Sequence, residues 1–267
     1  MTKEHILPRF LYRQFPNQKT GYNVRADKFL TWEPQVRDVC KDCNNGPLSA
    51  LDAYAQQFLL AVRSDRTYPK DADITFAYDY SLLLRWLLKV SYNSARALTE
   101  TPEILRQCIE FIRDGESEHP PVAFLAVEVV RDTQVTEESR DLLPSVARSW
   151  SHIPARMFRV GPGILVDPRA REPLPEHLIR FVAINSWYFT LCIVPAGVGR
   201  RDRRRLARAY RSYHPDAVIL SPEDETTSIS VSARTAMDAY EFQASRVQEQ
   251  WRKYASQAFP DVLSNTR

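Results

Sequence analysis

Between positions 82 and 90 the chain reads Leu-Leu-Leu-Arg-Trp-Leu-Leu-Lys-Val, apolar everywhere except Arg85 and Lys89. A helix opened by Asp79 or Ser81 and running to about Leu98 is apolar on most sides, which makes it a buried helix. Upstream, Ser49 followed three residues later by Asp52 gives a capping-box-like start. Leu51, Tyr54, Phe58, Leu59 and Val62 continue that helix at helical spacing. Residues 74 to 78 read as a short strand, and Thr101-Pro102-Glu103 starts a helix carried on by Ile104, Leu105, Cys108, Ile109 and Ile112, with Cys108 as a core thiol.

From residue 120 the pattern turns to strands. Residues 122 to 130 are β-rich; 157 to 160 and 164 to 166 flank Gly161-Pro162-Gly163 as a hairpin; 181 to 184 and 188 to 194 flank Asn185-Ser186-Trp187 as another; 218 to 220 add a short strand. Residues 231 to 259 form a long amphipathic helix striped by Tyr240, Ala244, Val247, Trp251, Tyr254 and Ala258. That stripe fits docking on the protein's own core or against its copy in a homodimer.

An apolar content of 44% with 26% charged residues describes an ordinary folded protein. No apolar run approaches the roughly 18 residues of a membrane span. The first residues carry no secretory signal pattern, and the four cysteines make no disulfide framework, so the expected setting is the cytoplasm. Seven glycines stand against 18 prolines, and neither G-x-G-x-x-G nor G-x-x-x-x-G-K occurs, which argues against nucleotide-cradling loops. The net charge of +3 is unevenly placed. Residues 1 to 50 hold eight Lys or Arg against five acids, residues 200 to 211 hold seven Arg against Asp202, and the remainder is net negative. Positive charge gathered in two segments suits a phosphate-bearing ligand.

The first of those segments contains Lys3-Glu4-His5-Ile6-Leu7-Pro8 and then Val39-Cys40-Lys41-Asp42-Cys43-Asn44-Asn45-Gly46. An imidazole can take a proton from water near neutral pH, which makes His5 a candidate base, while Glu4 and Asn44 offer oxygen ligands of the kind that suit Mg²⁺ or Mn²⁺. Side chains alternate along a strand, so Glu4 and His5 can share one ion only where the strand ends or bulges, and Pro8 fits such an ending. E-H-x-x-P followed by C-x-x-C-N resembles the HNH (ββα-metal) endonucleases over roughly residues 1 to 60. The resemblance implies Glu4 and Asn44 as metal ligands, His5 as general base, and Gln35 in place of the family's middle asparagine. Zinc-stabilised members carry a second C-x-x-C upstream of the histidine; here none precedes His5, so structural Zn is not expected and Cys40 and Cys43 are read as structural thiols. Asn45, before Gly46 and Pro47, is read as a turn residue.

Residues 9 to 39 would form the hairpin and its loop. Phe10, Tyr12, Phe15, Tyr22, Phe29 and Trp32 are read as the motif's small core, and Arg9, Arg13, Lys19, Arg25, Lys28 and Arg37 as its nucleic-acid-facing charges. In the second segment, a helix would place Arg201, Arg204, Arg205, Arg208 and Arg211 on nearly one face, suited to gripping phosphates without reading bases. His119, His152, His177 and His214 lack metal-ligand spacing and are read as structural or solvent-exposed.

The expected fold class is α+β. It comprises an N-terminal ββα-metal (HNH-like) motif at 1–62, a helical connecting region at 63–118, and a mixed α/β region at 119–267 with an antiparallel sheet and a long C-terminal helix. The function expected from the resemblance is a metal-dependent endonuclease acting on DNA, with RNA as a further substrate class. Two alternatives stand beside it: a catalytically degenerate HNH relative that binds nucleic acid, and an interaction protein in which the two motif pieces meet by coincidence.

Overall fold

The computed structural model describes residues 2–14, 21–23, 28–30, 35–97, 103–115, 121–134, 137, 152–153, 159–163, 165 and 174–235. The helix expected at 231–259 does not begin where the pattern placed it, since residues 231–235 are not helical; the rest of it, with its homodimer stripe, lies outside the described residues beyond 235, as do the side chains of Phe15, Tyr22, Phe29 and Trp32.

In chain order the elements begin with β1 (Thr2–His5), α1 (Arg9–Gln14), β2 (Gly21–Asn23), β3 (Lys28–Leu30), β4 (Gln35–Val39), α2 (Lys41–Asn45), α3 (Pro47–Ala61), β5 (Asp73–Ala77) and α4 (Tyr80–Ala97). They continue with α5 (Glu103–Arg106), α6 (Ile109–Asp114), β6 (Val122–Val129), β7 (Thr133–Gln134), β8 (His152–Ile153), β9 (Arg159–Gly163), β10 (Leu178–Ile184) and β11 (Trp187–Ile193). The last are α7 (Arg200–Tyr213), β12 (Val218–Ile219) and β13 (Thr226–Ser230). The protein is therefore mixed α and β with antiparallel sheets and several helices.

The central sheet has five strands in the order β12-β6-β11-β10-β9, each pair antiparallel. Alternation along its strands sends Leu125, Val127, Trp187, Phe189 and Leu191 into one core and Phe124, Ala126 and Cys192 into another. The first core holds α3 and α4, where Leu83, Leu84, Trp86, Leu87 and Leu88 are wholly buried. Full burial of each such side chain stabilises by about 2 kcal/mol. The second core holds α7 through Leu206, Ala209 and Tyr210, and the Tyr210 ring lies 4.9 Å from that of Phe124. The sheet thus separates α3 and α4 from α7. The first core takes residues from all three segments distinguished in the sequence.

Helix α4 forms as the apolar pattern requires, and Asp79 opens it by accepting the backbone N–H of Leu82 at 2.9 Å. Helix α3 starts earlier than Ser49: Pro47 occupies its first turn, Gly46 precedes it, and no side chain caps it. The segment after residue 102 breaks at Cys108 into α5 and α6. Gly115 ends α6 at φ +75°, and a Cβ there would meet the Arg85 guanidinium at 2.8 Å. The β10–β11 hairpin forms as expected, with Asn185 at φ 57° in its turn. Gly161-Pro162-Gly163 does not turn. It continues β9, pairing Pro162 with Arg180, and an edge strand tolerates a residue that cannot donate to the ladder. Among the described residues, no helix is long and apolar enough to cross a membrane.

Candidate functional site

The two motif pieces meet. Strand β1 pairs with β4, matching Thr2 to Val39, Glu4 to Val36 and His5 to Gln35, with an irregularity between Thr2 and Glu4. Helices α2 and α3 follow directly. The bulge falls before Glu4, so Glu4 and His5 keep the alternation of a regular strand and their side chains leave on opposite sides.

His5 is half-buried at the end of β1, its ring centroid 6.2 Å from that of Tyr12 and its Nε2 3.2 Å from Nε2 of Gln35. Asn44 donates its amide to the Thr2 hydroxyl at 3.1 Å and to the Lys3 carbonyl at 3.2 Å, binding α2 to β1. Cys40 precedes α2, and its Sγ accepts the backbone N–H of Cys43 at 3.0 Å. Expected as thiols, Cys40 and Cys43 are joined as a disulfide, which a C-x-x-C turn brings within reach. Cys108 and Cys192 are the buried free cysteines, and burial pushes both thiols up to about 12.

Glu4 takes the other direction. Its carboxylate lies in the interior, with Oε1 2.6 Å from Nζ of Lys89, and the same ammonium is 2.6 Å from Oδ1 of Asp52 and 3.4 Å from the Leu48 carbonyl. Leu48 and Asp52 are one helical turn apart on α3, so they face α4 together. The Lys89 side chain is 2% exposed and that of Glu4 9%. Burial raises the Asp52 carboxyl above the ordinary aspartate range, with Lys89 pulling the other way. This triad draws on β1, α3 and α4, and its members are far apart in sequence, with Asp52 at a capping-box-like position and Lys89 an exception within an apolar run. One signal was present: a lone lysine on a helix apolar on most sides must find a buried partner.

These contacts decide whether the donor set suits the divalent ion that the resemblance implies. It does not. Glu4 is already committed to an ammonium and points away from the side of the strand that carries His5, while Asn44 gives its amide N–H donors to β1 and has only its Oδ1 to offer.

On the opposite face of the sheet, α7 buries Leu206, Ala209 and Tyr210 and leaves Arg200, Arg201, Arg204, Arg208 and Arg211 exposed. Arg205 is half-buried and pairs with Asp202 at 3.4 Å. Arg203 turns back to donate to the Val122 and Val198 carbonyls. The exposed arginines form one cationic ridge. Near it, the buried Glu128 carboxylate accepts from Arg234 at 3.0 Å and lies 3.3 Å from Nδ1 of His214, whose ring stacks on Tyr210 at 4.5 Å.

A groove of about 690 Å³ is lined by Tyr54, Phe58, Tyr80, Asp79, Asp224 and Glu225 among others. Burial holds the Tyr54 and Tyr80 phenols up to about 12, and the acids at the rim repel phosphate. No protein-family model, curated protein or solved structure matches the chain.

Proposed function

We propose that this protein binds nucleic acid, DNA in the first instance, through its backbone phosphates, and is a catalytically degenerate relative of the HNH endonucleases. The observation that carries the choice is the Lys89 ammonium on the Glu4 carboxylate at 2.6 Å, which removes the acid from the ligand set that phosphodiester hydrolysis needs. The α7 ridge supplies the binding surface: exposed guanidiniums at helical spacing meet successive phosphates without reading base edges. Binding of this kind releases counterions and weakens steeply with salt. Gel retardation of a random-sequence duplex across a salt series tests it. The expected result is a linear fall of log affinity with log salt, unchanged by EDTA, with single-stranded RNA run alongside to rank the two nucleic acids. Binding indifferent to salt would overturn the reading.

A second reading keeps one supporting observation: Gln35 lies beside a half-buried His5 at the end of β1, and Asn44 bonds to Thr2 and Lys3 of the same strand. There the protein is the metal-dependent endonuclease that the motif implies, with His5 taking the proton of the attacking water. Magnesium or manganese at Glu4 and Asn44 would require Lys89 to withdraw from a site in which its side chain is 2% exposed.

A further inference from the structure

We infer that Lys89 is a built-in cation: its ammonium engages the Glu4 carboxylate that the HNH resemblance gives to a divalent ion, so Glu4 takes no divalent metal in the folded protein. The inference rests on the proposed function only for the position assigned to the metal.

The geometry is saturated. An ammonium has three donors, and Nζ of Lys89 has three oxygen acceptors within reach: Glu4 and Asp52 at 2.6 Å and the Leu48 carbonyl at 3.4 Å. They come from β1 and from the first turns of α3, and a hard divalent ion would draw on the same oxygens. Lys89 has no way aside. Leu88 and Val90 beside it on α4 are wholly buried, and moving the ammonium without a partner leaves an uncompensated charge in the core. Electrostatically the lysine does what the ion would do for Glu4, which is to neutralise a buried carboxylate. It cannot do what the ion would do for a substrate, because all three donors are spent inside the protein and none faces a phosphate.

The test is Mn²⁺ titration of the full chain, followed by EPR of the free hexaaqua ion, on the wild type, Glu4→Gln, Lys89→Met and the double variant. The wild type and Glu4→Gln should give superimposable isotherms. Folded Lys89→Met should gain a Mn²⁺ site stronger by on the order of ten-fold, lost again on adding Glu4→Gln. A wild-type site that weakens about ten-fold in Glu4→Gln would overturn the inference, as would a folded Lys89→Met that gains nothing. Thermal melts by circular dichroism establish folding. If Lys89→Met fails to fold, the wild type against Glu4→Gln decides alone. Nucleic-acid retardation is measured separately in EDTA, so failure of the α7 ridge and failure of the built-in cation give different results.

Discussion

Two clusters of charge lie on opposite faces of the five-stranded sheet and obey opposite rules. At Glu4, Lys89 and Asp52 the charges are internal, with the buried Lys89 ammonium 2.6 Å from both the buried Glu4 and the half-buried Asp52 carboxylates. Along α7, Arg201, Arg204, Arg208 and Arg211 are exposed, and the described residues place no carboxylate in an ion pair with them. A buried ion pair repays its desolvation only by internal contacts, so it belongs to the fold. Exposed like charges on one helix face repel one another and remain available to an anion.

The contrast is broken most forcefully at Lys89. Lys89→Met leaves the buried Glu4 carboxylate beside the half-buried Asp52 carboxylate with no cation between them and should cost about 3–5 kcal/mol of stability, read as a fall in urea midpoint at unchanged slope. Neutralising the ridge should do the reverse. Replacing Arg201, Arg204, Arg208 and Arg211 by Ala should leave the urea midpoint nearly unmoved and lower the salt slope of DNA binding by about 3–4, near 0.9 per lost phosphate contact. Asn44→Ala removes two hydrogen bonds to β1 and should cost about 1–2 kcal/mol, visible in the same unfolding titration.

The smallest effect is one of pH. The Asp52 carboxyl is raised in the folded state, so the folded protein holds this proton more tightly than the unfolded chain. Its stabilising share is complete below the unfolded value of about 3.9 and is lost as pH rises through the higher folded value. Between those two values the wild type should lose stability relative to Asp52→Asn, and parallel curves for the two proteins would remove Asp52 from the account.

The same contrast explains which parts were legible in sequence. Helix α4 and the β10–β11 hairpin could be read because their patterns are local: apolar residues on most sides of a helix, and β-rich runs around Asn185-Ser186. Gly161-Pro162-Gly163 misled because its turn chemistry is local while its place on an edge strand is set by β10. Strand β13 went unseen, since Thr226–Ser230 has little apolar content and pairs with β5 across most of the chain. Helix α1 fell in a stretch read as loop. The meeting of β1, Gln35 and Asn44 followed from motif order and spacing. The partner of Glu4 did not, because Lys89 sits far along the sequence on another element, and only the oddity of a lysine in an apolar helix pointed to it.

The proposed function joins a motif that does not cut to a ridge that binds. Conversion of supercoiled plasmid by the purified protein in Mg²⁺, Mn²⁺ and EDTA, with His5→Ala beside it, tests this most directly. Intact supercoiled plasmid is expected in all three conditions, retarded at low salt by wild type and His5→Ala alike. Nicking or linearisation that needs the metal and disappears in His5→Ala would contradict it and restore the endonuclease.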